Sequence, residues 1–275
     1  FNVRKGIVRD TPSMRVLECV NCGLVQLEKK DHINEELYKK SGMHAEDPKS
    51  ICSWLKETDW DDQRRFDQLK RAITNKRVLD FGSGAGGFLV KARTLAAEVV
   101  GIELEERVKK YWDGDIKIFD SIESASCWGG AGHDLITAFH VVEHLLDPRE
   151  TLINLSKLLN KNGQLIIEVP SADDALLTLF GCDAFQKFTY WSQHLYLFTA
   201  STLGLLIKQA GLKAVSIQHY QRYPLSNHLY WLSHGKPGGH HRWSFLDSRP
   251  LNDAYAQSLS SIGRTDTLIA TVEAS

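Results

Sequence analysis

The chain has 275 residues, 43% hydrophobic and 24% charged, with 33 Lys and Arg against 34 Asp and Glu. That balance suits one large globular domain, or one domain with a small appendage. The formal net charge of −1 excludes a global basic field for nucleic acid or an anionic membrane, and no apolar run reaches the roughly 18–20 residues of a membrane span.

No charged-then-apolar leader opens the sequence, and five scattered cysteines fit a reducing compartment better than a disulfide framework. The expectation is a cytoplasmic chain with no membrane partner. Residues 1–58 read as an irregular N-terminal appendage, in which Arg15 to Cys19 and Gly23 to Leu27 form a short hairpin with Cys19 and Cys22 at its turn. That pair resembles half of a zinc knuckle, or else marks a tight turn with reduced thiols. A structural zinc site needs four ligands, and only His32, His44 and Cys52 stand nearby in sequence.

A helix is expected from about Asp59 to Thr74, with Asp59 or Asp61 as cap and Phe66, Leu69 and Ile73 on one face. Strands and helices then alternate. Val78 to Phe81, Glu98 to Glu103, Ile116 to Phe119, Asp134 to Phe139 and Gln164 to Val169 read as strands. Val215 to His219 and Thr267 to Val272 add two more. Helices are expected over Phe88 to Leu95, Arg107 to Tyr111, Arg149 to Leu159 and Thr199 to Ala210, the third stopped by Lys161-Asn162-Gly163. This alternation predicts an α/β fold, a mostly parallel seven-stranded sheet with helices on both faces, over residues 59–275. A ligand site is then expected beyond the carboxyl ends of the strands. The polar, His-rich stretch at about 221–264 reads as a lid-like insertion. Five of the eleven histidines, His219, His228, His234, His240 and His241, fall in or beside it.

Gly82, Gly84 and Gly86 follow a strand and precede a helix, where glycines allow a tight turn and close ligand approach. Glu103, about twenty residues on, can accept both hydroxyls of a ribose. Gly82, Gly84 and Gly87 also satisfy a dinucleotide fingerprint. Asp80 tilts the choice, because a carboxylate aimed into this loop repels pyrophosphate and favours a cationic ligand.

With Val78 to Gly86, Gly101 to Glu103, Asp134 to His144, Leu158 to Pro170 and His194 to Gly211 taken together, the sequence resembles the class I S-adenosylmethionine-dependent methyltransferases, over roughly residues 60–220. The resemblance implies a Rossmann-like fold and S-adenosylmethionine as cofactor. It implies that Asp80, Gly82, Ser83, Gly84 and Gly86 surround the methionine part, and that Glu103 and Leu104 hold the ribose. Asp120 and Ser121 lie along the adenine edge, and Phe139 and His140 form a wall.

His140, Glu143, His144 and the loop residue His194 converge on the same rim. One reading makes a histidine the general base, His194 ahead of His144, with Glu143 in support. This is similar to sugar C- and O-methyltransferases and implies a small polar acceptor, a sugar or nucleotide-linked sugar, with no metal. A rival reading gathers the four around a divalent metal, similar to small-RNA 3′-terminal 2′-O-methyltransferases. His140 stands where that family has a Glu, and the neutral charge argues against RNA. A third possibility is a non-catalytic cofactor-binding module. Tyr220, Tyr223, His228, Tyr230, Trp231 and Trp243 suit a cover over a polar ring, core packing or an oligomer contact equally.

Overall fold

A computed structural model describes residues 1–33, 38–39, 50–128 and 132–274. Three short strands, β1 (Asn2–Arg4), β2 (Val16–Glu18) and β3 (Val25–Leu27), pair antiparallel. Much further along the chain β9 (Tyr196–Leu197) completes this small sheet beside β3. Val8, Val16, Val25 and Leu27 share a core with Tyr190, Leu195 and Leu197, so the N-terminal strands pack onto the loop that follows the fifth strand of the main sheet.

Helix α1 spans Ile51–Ile73 and is capped by Ser50, whose Oγ accepts from Ser53 N at 3.2 Å. It begins eight residues before the expected Asp59. Asp59 and Asp61 are not caps but members of the helix, paired with Lys91 at 2.7 Å and with Arg64 at 3.1 Å. Then follow β4 (Arg77–Phe81), α2 (Gly87–Ala92), β5 (Glu98–Ile102), α3 (Glu106–Tyr111), β6 (Lys117–Phe119), α4 (Ile122–Ser126), β7 (His133–Phe139), α5 (Pro148–Ser156), β8 (Leu159–Pro170), α6 (Ala175–Thr178), α7 (Asp183–Thr189), α8 (Ala200–Gln209), β10 (Leu212–Tyr220), α9 (Leu225–His234), α10 (Gly239–Arg242), α11 (Arg249–Ser261) and β11 (Thr267–Ala274).

The main sheet has seven strands in the order β10-β11-β8-β7-β4-β5-β6. β8, β7, β4, β5 and β6 run parallel, and β11 is antiparallel to both its neighbours. Successive residues of the central strands feed opposite faces. Val78, Leu135 and Ile166 pack with Phe88 and Ile73 from α2 and α1. Leu79, Ile136 and Ile167 pack with Leu152, Leu155 and Leu203 from α5 and α8. The expected sheet is therefore present.

One local expectation differs. α5 ends at Ser156, and Lys161-Asn162-Gly163 forms an irregularity of β8, between the Leu159 and Gln164 pairings to β7, rather than a helix stop. The stretch between β10 and β11 is helical, α9 to α11. In it His228 is buried against Tyr255, with Nδ1 and Oη 2.7 Å apart. Among the described residues no third metal-binding side chain gathers with Cys19 and Cys22. His32 Nε2 sits 2.7 Å from Ser192 O and Cys52 meets Tyr111, while His44 lies outside the described residues. No helix among the described residues is long and apolar enough to cross a membrane.

Candidate active site

The turn between β4 and α2 is fixed by backbone geometry that only glycine adopts without strain. Gly82 has φ +69°, and a Cβ there would lie 2.7 Å from Val141. The amides of Gly82 and Ser83 both donate to Ile102 O, at 2.9 and 3.1 Å. Gly86, with φ +85°, backs onto Trp112, whose indole Nε1 donates to Ala85 O at 2.8 Å.

Above this turn lies a cavity of about 650 Å³, within the range of small-molecule sites. Of the expected cofactor residues, Asp80, Gly82, Ser83, Gly84, Glu103, Leu104, Asp120, Ser121, Phe139 and His140 all line it. Gly86 does not, and it serves the turn. Of the expected catalytic residues His144 lines the cavity, whereas Glu143 and His194 take no part in its lining.

Asp80 is 3% exposed, and Thr137 Oγ1 donates to it at 2.7 Å. Burial pushes its carboxyl up to about 7, against the hydrogen bond from Thr137. Burial also raises Glu103, although Gly84 N donates to Oε2 at 2.8 Å and Glu105 N to Oε1 at 3.0 Å. Each Glu103 oxygen keeps a further lone pair for a ligand hydroxyl. Asp120 is lowered by Lys109, whose Nζ is 2.9 Å away. Ser121 caps α4 in a reciprocal bond with Ser124.

The opposite wall is a buried ionic network. Glu168, 1% exposed on β8, receives Arg64 at 2.7 Å and Arg65 at 2.8 Å, and His140 Nε2 lies 3.1 Å from it. Burial alone would raise Glu168, but Arg65, His140 and Arg64 hold it well below the usual carboxylate range. His140 is a non-glycine residue at φ +51°, a strained conformation that clusters at functional sites. Its Nδ1 lies 3.3 Å from Glu143 Oε1. Burial opposes protonation of His140, but the bonds to Glu143 and Glu168 raise its pKa above the ordinary value.

Glu143 is fully buried, and among the described residues its Oε2 has no hydrogen-bond partner. Behind it two imidazoles meet, His144 and His194, with ring centroids 5.0 Å apart. His144 Nδ1 is 2.7 Å from Gln193 O, and His194 Nδ1 is 2.9 Å from Thr189 O. A carbonyl only accepts, so each neutral ring carries its proton on Nδ1 and leaves the Nε2 lone pair free to accept, and of the two rings only that of His144 lines the cavity. Burial lowers both histidines, His194 to about 4. One ligand atom each from Glu143, His144 and His194 lie within 4.8 Å of one another.

Sequence reasoning missed Trp54, Asp61 and Arg65 of α1, Tyr38, and Arg222 beyond β10, all of which line the cavity. A signal existed for the network. Glu168 interrupts the apolar run Leu165 to Val169, and a carboxylate inside such a strand must find cationic partners.

Sheet order, glycine turn and cavity together define a class I S-adenosylmethionine-dependent methyltransferase. The family model described as a methyltransferase domain matches residues 45–217, and the chain belongs to that family. Among curated proteins it is similar to the ubiquinone biosynthesis O-methyltransferase of Aromatoleum aromaticum, 25% identical over 178 residues covering 59% of this chain and 75% of that protein. The protein of the same description from Bordetella pertussis is 24% identical over 204 residues, covering 70% and 79%. Among solved structures, an S-adenosylmethionine-dependent methyltransferase from Archaeoglobus fulgidus aligns with TM-score 0.50 at 19% identity over 80% of this chain and 98% of that one. A chain from the complex of the Haloferax volcanii Trm112 methyltransferase activator with a methyltransferase aligns with TM-score 0.51 at 14% identity over 82% and 95%. These two likenesses concern the fold.

Proposed function

We propose that this chain transfers a methyl group to a hydroxyl of a small polar acceptor, a sugar or nucleotide-linked sugar, with His144 as general base. The observation that carries this reading is the placement of Asp80, Glu103 and a neutral His144 on one cavity. The residues fit the cofactor. Backbone turns free of Cβ atoms at Gly82 and Gly84 admit its methionine part beside Asp80. Glu103 would accept the ribose hydroxyls, with Leu104 beside it in the wall, and Asp120 and Ser121 would meet the adenine edge. Phe139 and His140 wall the far side, and Arg65 receives the carboxylate end. Bound S-adenosylmethionine supplies an electrophilic methyl on a positively charged sulfur.

The protein's own work is then alignment and proton removal. His144 Nε2 accepts the hydroxyl proton, and Glu143 Oε1, 4.0 Å away, stabilises the imidazolium that forms. His194 supports His144 from within the protein. The O-methyltransferase descriptions of the curated relatives favour oxygen over carbon as the methylated atom. A second reading is supported by the grouping of Glu143, His144 and His194 and by the unpartnered Glu143 Oε2, namely a divalent ion held by these three side chains.

Calorimetric titration with S-adenosylhomocysteine, with NADH as control, tests the cofactor assignment. Micromolar binding lost in Glu103→Ala supports it, and a preference for NADH overturns it. In methyl-transfer assays His144→Gln is expected to lower kcat by about 10²–10⁴-fold with unchanged S-adenosylhomocysteine affinity. Abolition of turnover by a chelator and its restoration by zinc or magnesium would replace the general base with the metal.

A further inference from the structure

The family match ends at residue 217, but the cavity wall does not. Arg222, in the turn leaving β10, lines it. A cofactor common to a family is held by the common part of the fold, and the parts outside it answer to what differs between members, the acceptor.

Arg222 is held from two sides. Its backbone N donates to both oxygens of Asp266, at 2.9 and 3.1 Å, and the Asp266 carboxylate also accepts from Tyr223 N at 2.9 Å and Gln221 Nε2 at 2.8 Å. One half-buried carboxylate thus fixes the whole turn. The guanidinium reaches back across the cavity. Nη2 pairs with Asp61 at 2.7 Å and donates to Tyr223 Oη at 3.0 Å, and Nη1 lies 3.1 Å from His140 Nε2.

Among the described residues Arg65 and Arg222 are the only arginines or lysines in the lining, each beside a carboxylate partner, Asp62 and Asp61, while other carboxylates line it at Asp80, Glu103 and Glu105 and, at the exposed rim, at Asp120, Glu123, Asp147 and Glu150. An anionic group on a ligand is repelled at that rim and attracted at the two arginines. Arg65 lies inside the family match and Arg222 outside it. An Arg fork suits phosphate and carboxylate oxygens through parallel N–H donors.

We propose that Arg222 is an acceptor-binding and specificity-determining residue that receives an anionic oxygen group of the methyl acceptor, phosphate or carboxylate, and that Asp266 is the residue positioning it. This rests on the methyl-transfer reading of the cavity given above.

The test uses the full chain saturated with S-adenosylhomocysteine and two pairs of probes, each pair differing in charge. One pair is UDP-glucose and glucose, the other 3,4-dihydroxybenzoate and catechol. Calorimetry is expected to show one charged probe binding at least about tenfold tighter than its neutral counterpart. Preference for UDP-glucose identifies phosphate, and preference for the benzoate identifies carboxylate. Arg222→Gln is expected to remove the preference, and Arg222→Lys to retain part of it, with S-adenosylhomocysteine affinity held within about twofold in both. Equal binding of charged and neutral probes, no binding of either charged probe, or a preference that survives Arg222→Gln overturns the proposal. Loss of S-adenosylhomocysteine binding by the wild-type chain would overturn the methyl-transfer reading instead. Asp266→Asn is expected to reduce the charged-probe preference as Arg222→Gln does. A lowered melting temperature with the preference intact would show Asp266 to be structural only.

Discussion

Asp80 and Glu103 stand at the ends of neighbouring strands, and burial raises the pKa of both. For Asp80, near 7, this has a direct consequence. The carboxyl becomes anionic as pH rises through neutrality, so affinity for the cationic S-adenosylmethionine should climb by about tenfold between pH 6 and 8. Asp80→Asn should flatten that profile, and affinity for uncharged-sulfur S-adenosylhomocysteine should stay nearly level, as calorimetry across the range will show. Gly82→Ala belongs to the same scale. At φ +69° with Val141 only 2.7 Å from the new carbon, it should cost about 1–2 kcal/mol of strain and weaken cofactor binding, measurable by melting and by titration. The glycine turn, Asp80 and Glu103 were legible because their spacing along the chain is the geometry itself: strand, turn, next strand end. Glu143 and His194 were legible as a cluster but not as to depth. Nothing in the sequence says that His144 faces the cavity while His194 stands outside its lining.

Elements tell the same story through their ends. The start of α8 at Thr199 was legible because its signal is local: the Thr199 hydroxyl accepts from Thr202 N, and Thr202 Oγ1 accepts from Thr199 N in return. Thr199→Ala should cost about 1 kcal/mol in urea denaturation, with an unchanged m value. The start of α1 was misjudged because Asp59 and Asp61 imitate a cap, whereas they serve Lys91 across on α2 and Arg64 one turn on. The stretch at about 221–264 was legible as an insertion, but its histidines and glycines obscure the three helices α9 to α11. Its buried His228, with a pKa lowered to about 4 by desolvation, must gain a proton on unfolding below pH 6.5. Because the unfolded chain binds more protons between about 4 and 6.5, His228 takes stability away as pH falls through that window, by on the order of 2–3 kcal/mol. A His228→Gln chain should therefore lose less melting temperature between pH 7 and pH 4.5 than the wild type.

At the scale of the whole molecule the seven-stranded sheet was legible from the alternation of apolar runs. The small sheet was not, because β3 pairs with a two-residue strand some 170 positions away and no local pattern records such a partner. Since Val25 and Leu27 share their core with Leu195 and Leu197, the N-terminal strands should unfold together with the rest. Scanning calorimetry should show one transition whose calorimetric and van't Hoff enthalpies agree, where an independent appendage would give two. The order β10-β11-β8 also bears on how the protein is made. β10 pairs only with β11, and β11 is the last of the seven strands to leave the ribosome. Until it emerges, β8 offers an unprotected edge and the helices α9 to α11 hang from a strand with no neighbour in the sheet. The nascent chain is thus exposed to aggregation until β11 has emerged, and Arg222 and Asp266 come together only after the segment that joins α11 to β11 has been made.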